Sequence, residues 1–171
     1  MKKDYNQASN LLTNSNLFYV GKLGKPHSLT GFQYLNIDIF FRNHNLDDIE
    51  LKVGKDYLIV EDFKNHLKDR NLIKFTNFDT IESIQNLRDS DVSISKDLVD
   101  TFINESNLPW PGFFKGLEIT NDGMVLKSVQ YLNKMIFCKV EGIQDFLVPY
   151  NNNYFYYNNG NLELINDSLT T

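Results

Sequence analysis

Residues 32–42 alternate between apolar and polar side chains with a period of two. Leu35, Ile37, Ile39 and Phe41 fall on one face of an extended backbone, and Tyr34, Asn36, Asp38 and Arg42 fall on the other. Successive side chains of a strand point to opposite sides, so the pattern predicts a half-buried strand with one face on a core. Phe32 and Phe40 lie on the mostly polar side, which predicts a second covering layer or partner there. Ile49, Leu51 and Val53 repeat the alternation, and Gly54-Lys55-Asp56 turns the chain into residues 57–60, a hairpin. Upstream, residues 17–23 read as a strand and residues 24–31, with their Gly, Pro and Ser, as a loop.

The middle of the chain reads as helical. Residues 61–70 place acids first and bases last, the order that complements a helix macrodipole. Residues 72–75 predict a short strand. Asp79 with Glu82 three positions later resembles an N-cap, and Ile81, Ile84 and Leu87 follow at helical spacing. Ser95 reads as the cap of a further helix reaching Glu105. Leu98, Val99, Phe102 and Ile103 would form its apolar stripe, and Asp97, Asp100 and Asn104 its wet face. The last third reads as β. Strands are expected at 113–120 and 124–132 around Asn121-Asp122-Gly123, at 135–141 and 146–150, and at 154–157 and 161–165 around Asn158-Asn159-Gly160. Both turns use residues that tolerate positive φ. The expected fold class is therefore α+β: an antiparallel sheet, made of N-terminal hairpins plus a C-terminal β-meander, with about three helices from the middle of the chain packed on it. A length of 171 residues predicts a single domain, 1–171, with residues 1–16 as a short helix or a loose arm.

Seventeen Lys and Arg against 22 Asp and Glu give a net charge of -5. Nucleic-acid-binding domains normally carry a basic stripe, so the balance argues against nucleic acid and against an anionic membrane, and for a basic protein partner. The single cysteine, Cys138, follows Met135-Ile136-Phe137 and reads as a small buried hydrophobe rather than a nucleophile. The N-terminal 16 residues lack the apolar segment of a signal peptide, and no window approaches the ~20 apolar residues of a membrane span. A cytoplasmic protein is expected.

Reactive motifs are missing. No Ser sits in a nucleophile elbow, and His27, His44 and His66 are not spaced with a second ligand or base. The stretch from Gly21 to Pro26 has glycines and lysines after a strand, but Pro26 removes an amide where a phosphate loop needs one. Asp89, Asp91, Ser93, Ser95, Asp97 and Asp100 match an EF-hand in number, yet Ile94 stands where its sharp turn requires glycine. No catalytic residue, metal site or cofactor is expected, and the chain reads as not an enzyme. One alternative is a hydrolase or transferase whose site assembles from the distant His66, Asp62, His44 and Cys138. Another is a structural or viral assembly protein, motivated by outward Phe32 and Phe40.

Charge distribution yields the expected binding site. Asp79, Glu82, Asp89, Asp91, Asp97, Asp100 and Glu105 are opposed in that segment only by Arg88 and Lys96. The next loop, Leu108-Pro109-Trp110-Pro111, holds the only Trp. An aromatic anchor beside an acidic rim suits protein recognition, so Asp91, Asp97, Asp100, Glu105 and Trp110 are the expected partner-binding residues. The competing reading makes Trp110 a plug at the core edge. In size, acidity, missing catalytic motifs and Asn-, Lys- and Ile-rich composition the chain resembles small bacterial immunity proteins. That resemblance implies an inhibitory protein that neutralises a toxin by direct binding, with a nuclease toxin as the basic partner.

Overall fold

The computed structural model of the protein describes residues 16–67 and 69–165. The chain divides between Asp97 and Leu98 into two compact units.

In the first unit six strands close into a barrel: β1 (Leu17–Pro26), β2 (Gln33–Ile37), β3 (Glu50–Val53), β4 (Asp56–His66), β5 (Arg70–Phe75) and β6 (Asp91–Ser95). Their order is β1-β2-β5-β4-β3-β6, β6 pairs back to β1, and every neighbouring pair is antiparallel. Alternation sends Leu35, Leu51, Val53, Ile73, Val92 and Ile94 into the buried interior. Each such side chain contributes about 1.5–3 kcal/mol on burial. Closure bends the strands, and the bends are bulges: in β1 between Tyr19 and Gly21 and between Leu23 and Pro26, and in β4 between Val60 and Asp62. At Gly21 any Cβ would stand 2.2 Å from the Asn36 carbonyl oxygen, so glycine alone lets β1 pass so close to β2.

Two buried polar side chains differ in how they are satisfied. The Asn71 Oδ1 accepts from Arg42 Nε at 3.0 Å, and its Nδ2 donates to the Arg42 carbonyl at 3.2 Å and to Asn65 Oδ1 at 2.9 Å. Gln33, on the inward face of β2, is 0% exposed, and neither amide atom of its side chain meets a hydrogen-bond partner among the described residues.

The expected α+β fold with three helices is not the one adopted. One α-helix occurs among the described residues, α1 (Ile81–Gln85), five residues long. Its capping box joins Thr80 and Ser83 rather than Asp79 and Glu82. The helix expected at 61–70 is the β4–β5 hairpin. That helix was expected from charge order, acids first and bases last, and an extended backbone carries that order equally well; the bulge at Val60/Asp62 puts Val60 and Phe63 on the buried side. The helix expected from Ser95 to Glu105 is also absent. Ser95 ends β6 and caps only a 3₁₀ turn, Lys96–Leu98, its Oγ accepting from the Asp97 amide at 3.1 Å. The strand expected at 32–42 stops at Ile37. Asp38 Oδ1 accepts from the Phe40 amide at 3.0 Å and tightens the chain into the 3₁₀ turn Ile39–Phe41, which buries Phe40 and Phe41 and exposes Ile39. The apolar Phe40 that motivated an assembly surface is therefore core. Residues 1–15 of the expected N-terminal arm lie outside the described residues.

The second unit contains a three-stranded antiparallel sheet of β7 (Val125–Leu132), β8 (Met135–Glu141) and β9 (Asp145–Pro149), and a hairpin of β10 (Phe155–Asn158) and β11 (Asn161–Leu164). The hairpin turn uses Asn159 at φ 49 and Gly160 at φ 86, as its sequence predicts. The expected meander is thus two separate sheets. The strand expected at 113–120 is replaced by a 3₁₀ turn at Pro111–Phe114, where proline suits the first helical position, and only an isolated bridge joins Glu118 to Val125. Phe102, Phe113, Leu126, Cys138, Val140 and Phe155 form much of its core. No helix among the described residues is long and apolar enough to cross a membrane.

Two outcomes follow from these interiors. Replacing Gln33 by the similarly shaped Met removes two unsatisfied polar atoms, so Gln33→Met raises the unfolding free energy by about 1–2 kcal/mol in urea titration; a loss of stability contradicts this account of the barrel interior. Burial pushes the Cys138 thiol up to about 12, so at pH 8 it is un-ionised. Ellman's reagent therefore labels Cys138 only when the chain is denatured, and labelling of the native protein within minutes contradicts its placement.

Candidate functional site

The register of the barrel brings one cluster to its outer surface. Tyr34 on β2 and Lys64 on β4 both pair with Leu72 on β5, so all three side chains share the outward face, and His66 opposite Arg70 extends it. Leu72 is only 2% exposed although it points away from the barrel interior. His27, from the end of β1, completes the group. Its Nδ1 lies 3.0 Å from the Tyr34 hydroxyl, and its ring meets His66 edge-on at 4.6 Å between centroids. Tyr34 and His66 are 5.9 Å apart, also edge-on.

Cations lie on this aromatic base. The Arg70 guanidinium sits 5.2 Å from the Tyr34 ring centroid and the Lys64 ammonium 4.2 Å from that of Phe32. Lys25 stands nearby, lining with Tyr34, Asn36, Arg70 and the backbone of Gly24 an open cleft of about 390 Å³. Among the described residues none of Lys25, Lys64 and Arg70 pairs with a carboxylate. The neighbouring cations are engaged: Lys74 is held by Glu61 and Asp79, which raise its pKa, and Lys22 lies 3.9 Å from Asp91. Asp69, the acid at the cleft, lies 3.0 Å from Arg42. What remains is positive charge displayed on aromatic rings, suited to holding phosphates and stacking bases.

The residues expected to bind a partner are distributed differently. Asp91 is an exposed residue of β6 paired with Lys22, and Asp97 is exposed in the 3₁₀ turn after it. Asp100 and Glu105 are exposed in the second unit. Asp100 accepts from the Tyr157 hydroxyl at 2.6 Å, and burial together with this carboxylate pushes the phenol up to about 12. Trp110 is 6% exposed, edge-on to Phe113 at 5.0 Å, and a Cβ at Gly112 would stand 2.2 Å from its ring. It fills the core of its unit. Of the two acidic helices expected here, the first is only the five-residue α1 and the second does not form.

Nor do the parts of the alternative catalytic site converge. His66 faces His27 and Tyr34, His44 stacks on Phe40 with Nδ1 2.8 Å from the Phe40 carbonyl oxygen, and Cys138 is a buried core residue of the second unit. No cluster of three or more metal-ligating side chains occurs among the described residues. The outer-face cluster escaped the sequence reading because residues 61–70 read as a helix. Read as a strand, Lys64 and His66 are two apart and share a face, as do Phe32 and Tyr34.

No protein-family model and no curated protein matches the sequence. Solved structures similar to it include the following two. One is the N-terminal domain of RimM from Thermus thermophilus, in solution, at 15% identity and a TM-score of 0.40, covering 46% of this chain and 88% of that one. The other is a crystal structure of a putative 16S ribosomal RNA processing protein RimM from Pseudomonas aeruginosa, at 12% identity and a TM-score of 0.41, covering 89% of this chain and 98% of that one. The expected immunity protein is corrected by the fold: the acidic face of two long helices that was to dock on a nuclease toxin does not form among the described residues. The exclusion of nucleic acid as a partner falls with it, since it rested on the charge of the whole chain and not on where that charge lies.

Proposed function

We propose that the protein is a non-catalytic, cytoplasmic nucleic-acid-binding module that engages RNA through the outer face of its barrel. The observation that carries this reading is the arrangement of Lys25, Lys64 and Arg70, free of carboxylates among the described residues and layered on Phe32 and Tyr34 beside His27 and His66. A net charge of -5 does not oppose it. Phosphates respond to local potential within a Debye length of roughly 8 Å, and acids beyond that distance are largely screened. Aromatic rings add contacts to bases that every sequence can make.

The test is fluorescence anisotropy of a labelled RNA, beginning with a 16S ribosomal RNA fragment, at increasing KCl. Contacts to two or three phosphates make the logarithm of the association constant fall linearly with that of salt, with a slope of about -1.5 to -2 for single strands. The double variant Lys64→Ala/Arg70→Ala lowers that slope by about 1 and weakens binding roughly tenfold, whereas Asp97→Asn leaves it within twofold. Salt-independent association, or a double variant that binds as the wild type does, overturns the reading.

A further inference from the structure

We infer that the cleft beside Tyr34 is a subsite for one unpaired nucleotide, so that the barrel selects single-stranded or looped RNA over duplex. The inference rests on the proposed RNA-binding reading and adds which feature of RNA is recognised.

The cleft measures about 390 Å³, within the roughly 300–1,000 Å³ range of small-ligand clefts. Its walls divide the work that a nucleotide requires. Arg70 above the Tyr34 ring forms a layered cation and aromatic pair, and a base placed on the guanidinium extends that layer. Gly24 keeps one side bare: a Cβ there would come 3.2 Å from the Tyr34 Cβ. Asn36, exposed at the rim, offers an amide donor and acceptor with no hydrogen-bond partner among the described residues, the group that pairs with the edge of adenine. Lys25 provides a cation for the phosphate. Asn71 lies deeper, but its amide is engaged by Arg42 and Asn65, so it shapes the wall and reads nothing.

A base inside a duplex cannot reach this layer. Stacking on Tyr34 and Arg70 requires an open π-face, and pairing with Asn36 requires an accessible edge; both are denied in an A-form helix, whose deep, narrow major groove excludes side chains. Lys64 and Phe32 lie outside the cleft and contribute charge and stacking to any strand.

The experiment compares the full chain on a labelled single-stranded RNA and on a blunt duplex of equal length, by anisotropy at fixed salt. The single strand is expected to bind about tenfold more tightly. Asn36→Ala, an exposed change that leaves the core untouched, and Tyr34→Leu, checked by thermal melting, each reduce the preference to about twofold or less, while Lys64→Ala weakens both ligands equally. Equal affinity for the two RNAs, or a preference that survives Asn36→Ala and a folded Tyr34→Leu, overturns the nucleotide subsite and leaves RNA binding intact. Absence of binding to either RNA overturns the subsite together with the function on which it rests.

Discussion

Backbone hydrogen bonding around a closed ring of strands is the constraint on which the first unit depends. β6 pairs with both β3 and β1, so the ring has no free edge. Short strands can close only if some of them bend, and the bends fall where the sequence permits them. Gly21 lets β1 approach β2 within a distance that no Cβ survives, and β4 carries an extra residue at Val60/Asp62. Each bulge changes which side chains face out beyond it. The bulge in β4 puts Phe63 inside and therefore Lys64 and His66 outside, next to Tyr34. The position of the candidate site is thus a consequence of barrel closure.

The outer cluster has a structural role besides the recognition role proposed for it. Leu72 points outward between Tyr34 and Lys64 and is nearly inaccessible. Lys64 and Arg70 are suited to this because their stems are apolar and their heads remain in water. The same packing fixes where the charges stand. Lys22 and Lys74 have acidic neighbours, whereas Lys25, Lys64 and Arg70 enter no ion pair among the described residues. Net charge is a sum over the chain and does not show where charge lies.

Local turn chemistry was legible in the sequence, and so were the strands beside it. Gly54 and the Asn159-Gly160 pair hold positive φ where hairpins were expected, and the strands at 125–132, 135–141 and 155–158 follow. Charge order misled at 61–70, because acids first and bases last fit an extended hairpin as well as a helix, and apolar periodicity misled at 95–105. The stripe of Leu98, Phe102 and Ile103 serves instead a turn-rich loop in which Asn104 Oδ1 accepts from the amides of Ser106 and Leu108 at 2.9 and 3.1 Å. Barrel closure is a property of strand order, which no local window contains. The cationic surface joins residues from β1, β2, β4 and β5, and only their register reveals it.

The most direct measurement of the central claim is a map of RNA contacts by amide chemical shifts in the isotopically labelled full chain. Binding through the barrel's outer face moves the amides of His27, Tyr34, Lys64, His66 and Arg70 as RNA is added and leaves those of Asp97, Asp100 and Glu105 in place. Shifts centred on the acidic residues, or an unchanged spectrum at saturating RNA, would contradict it.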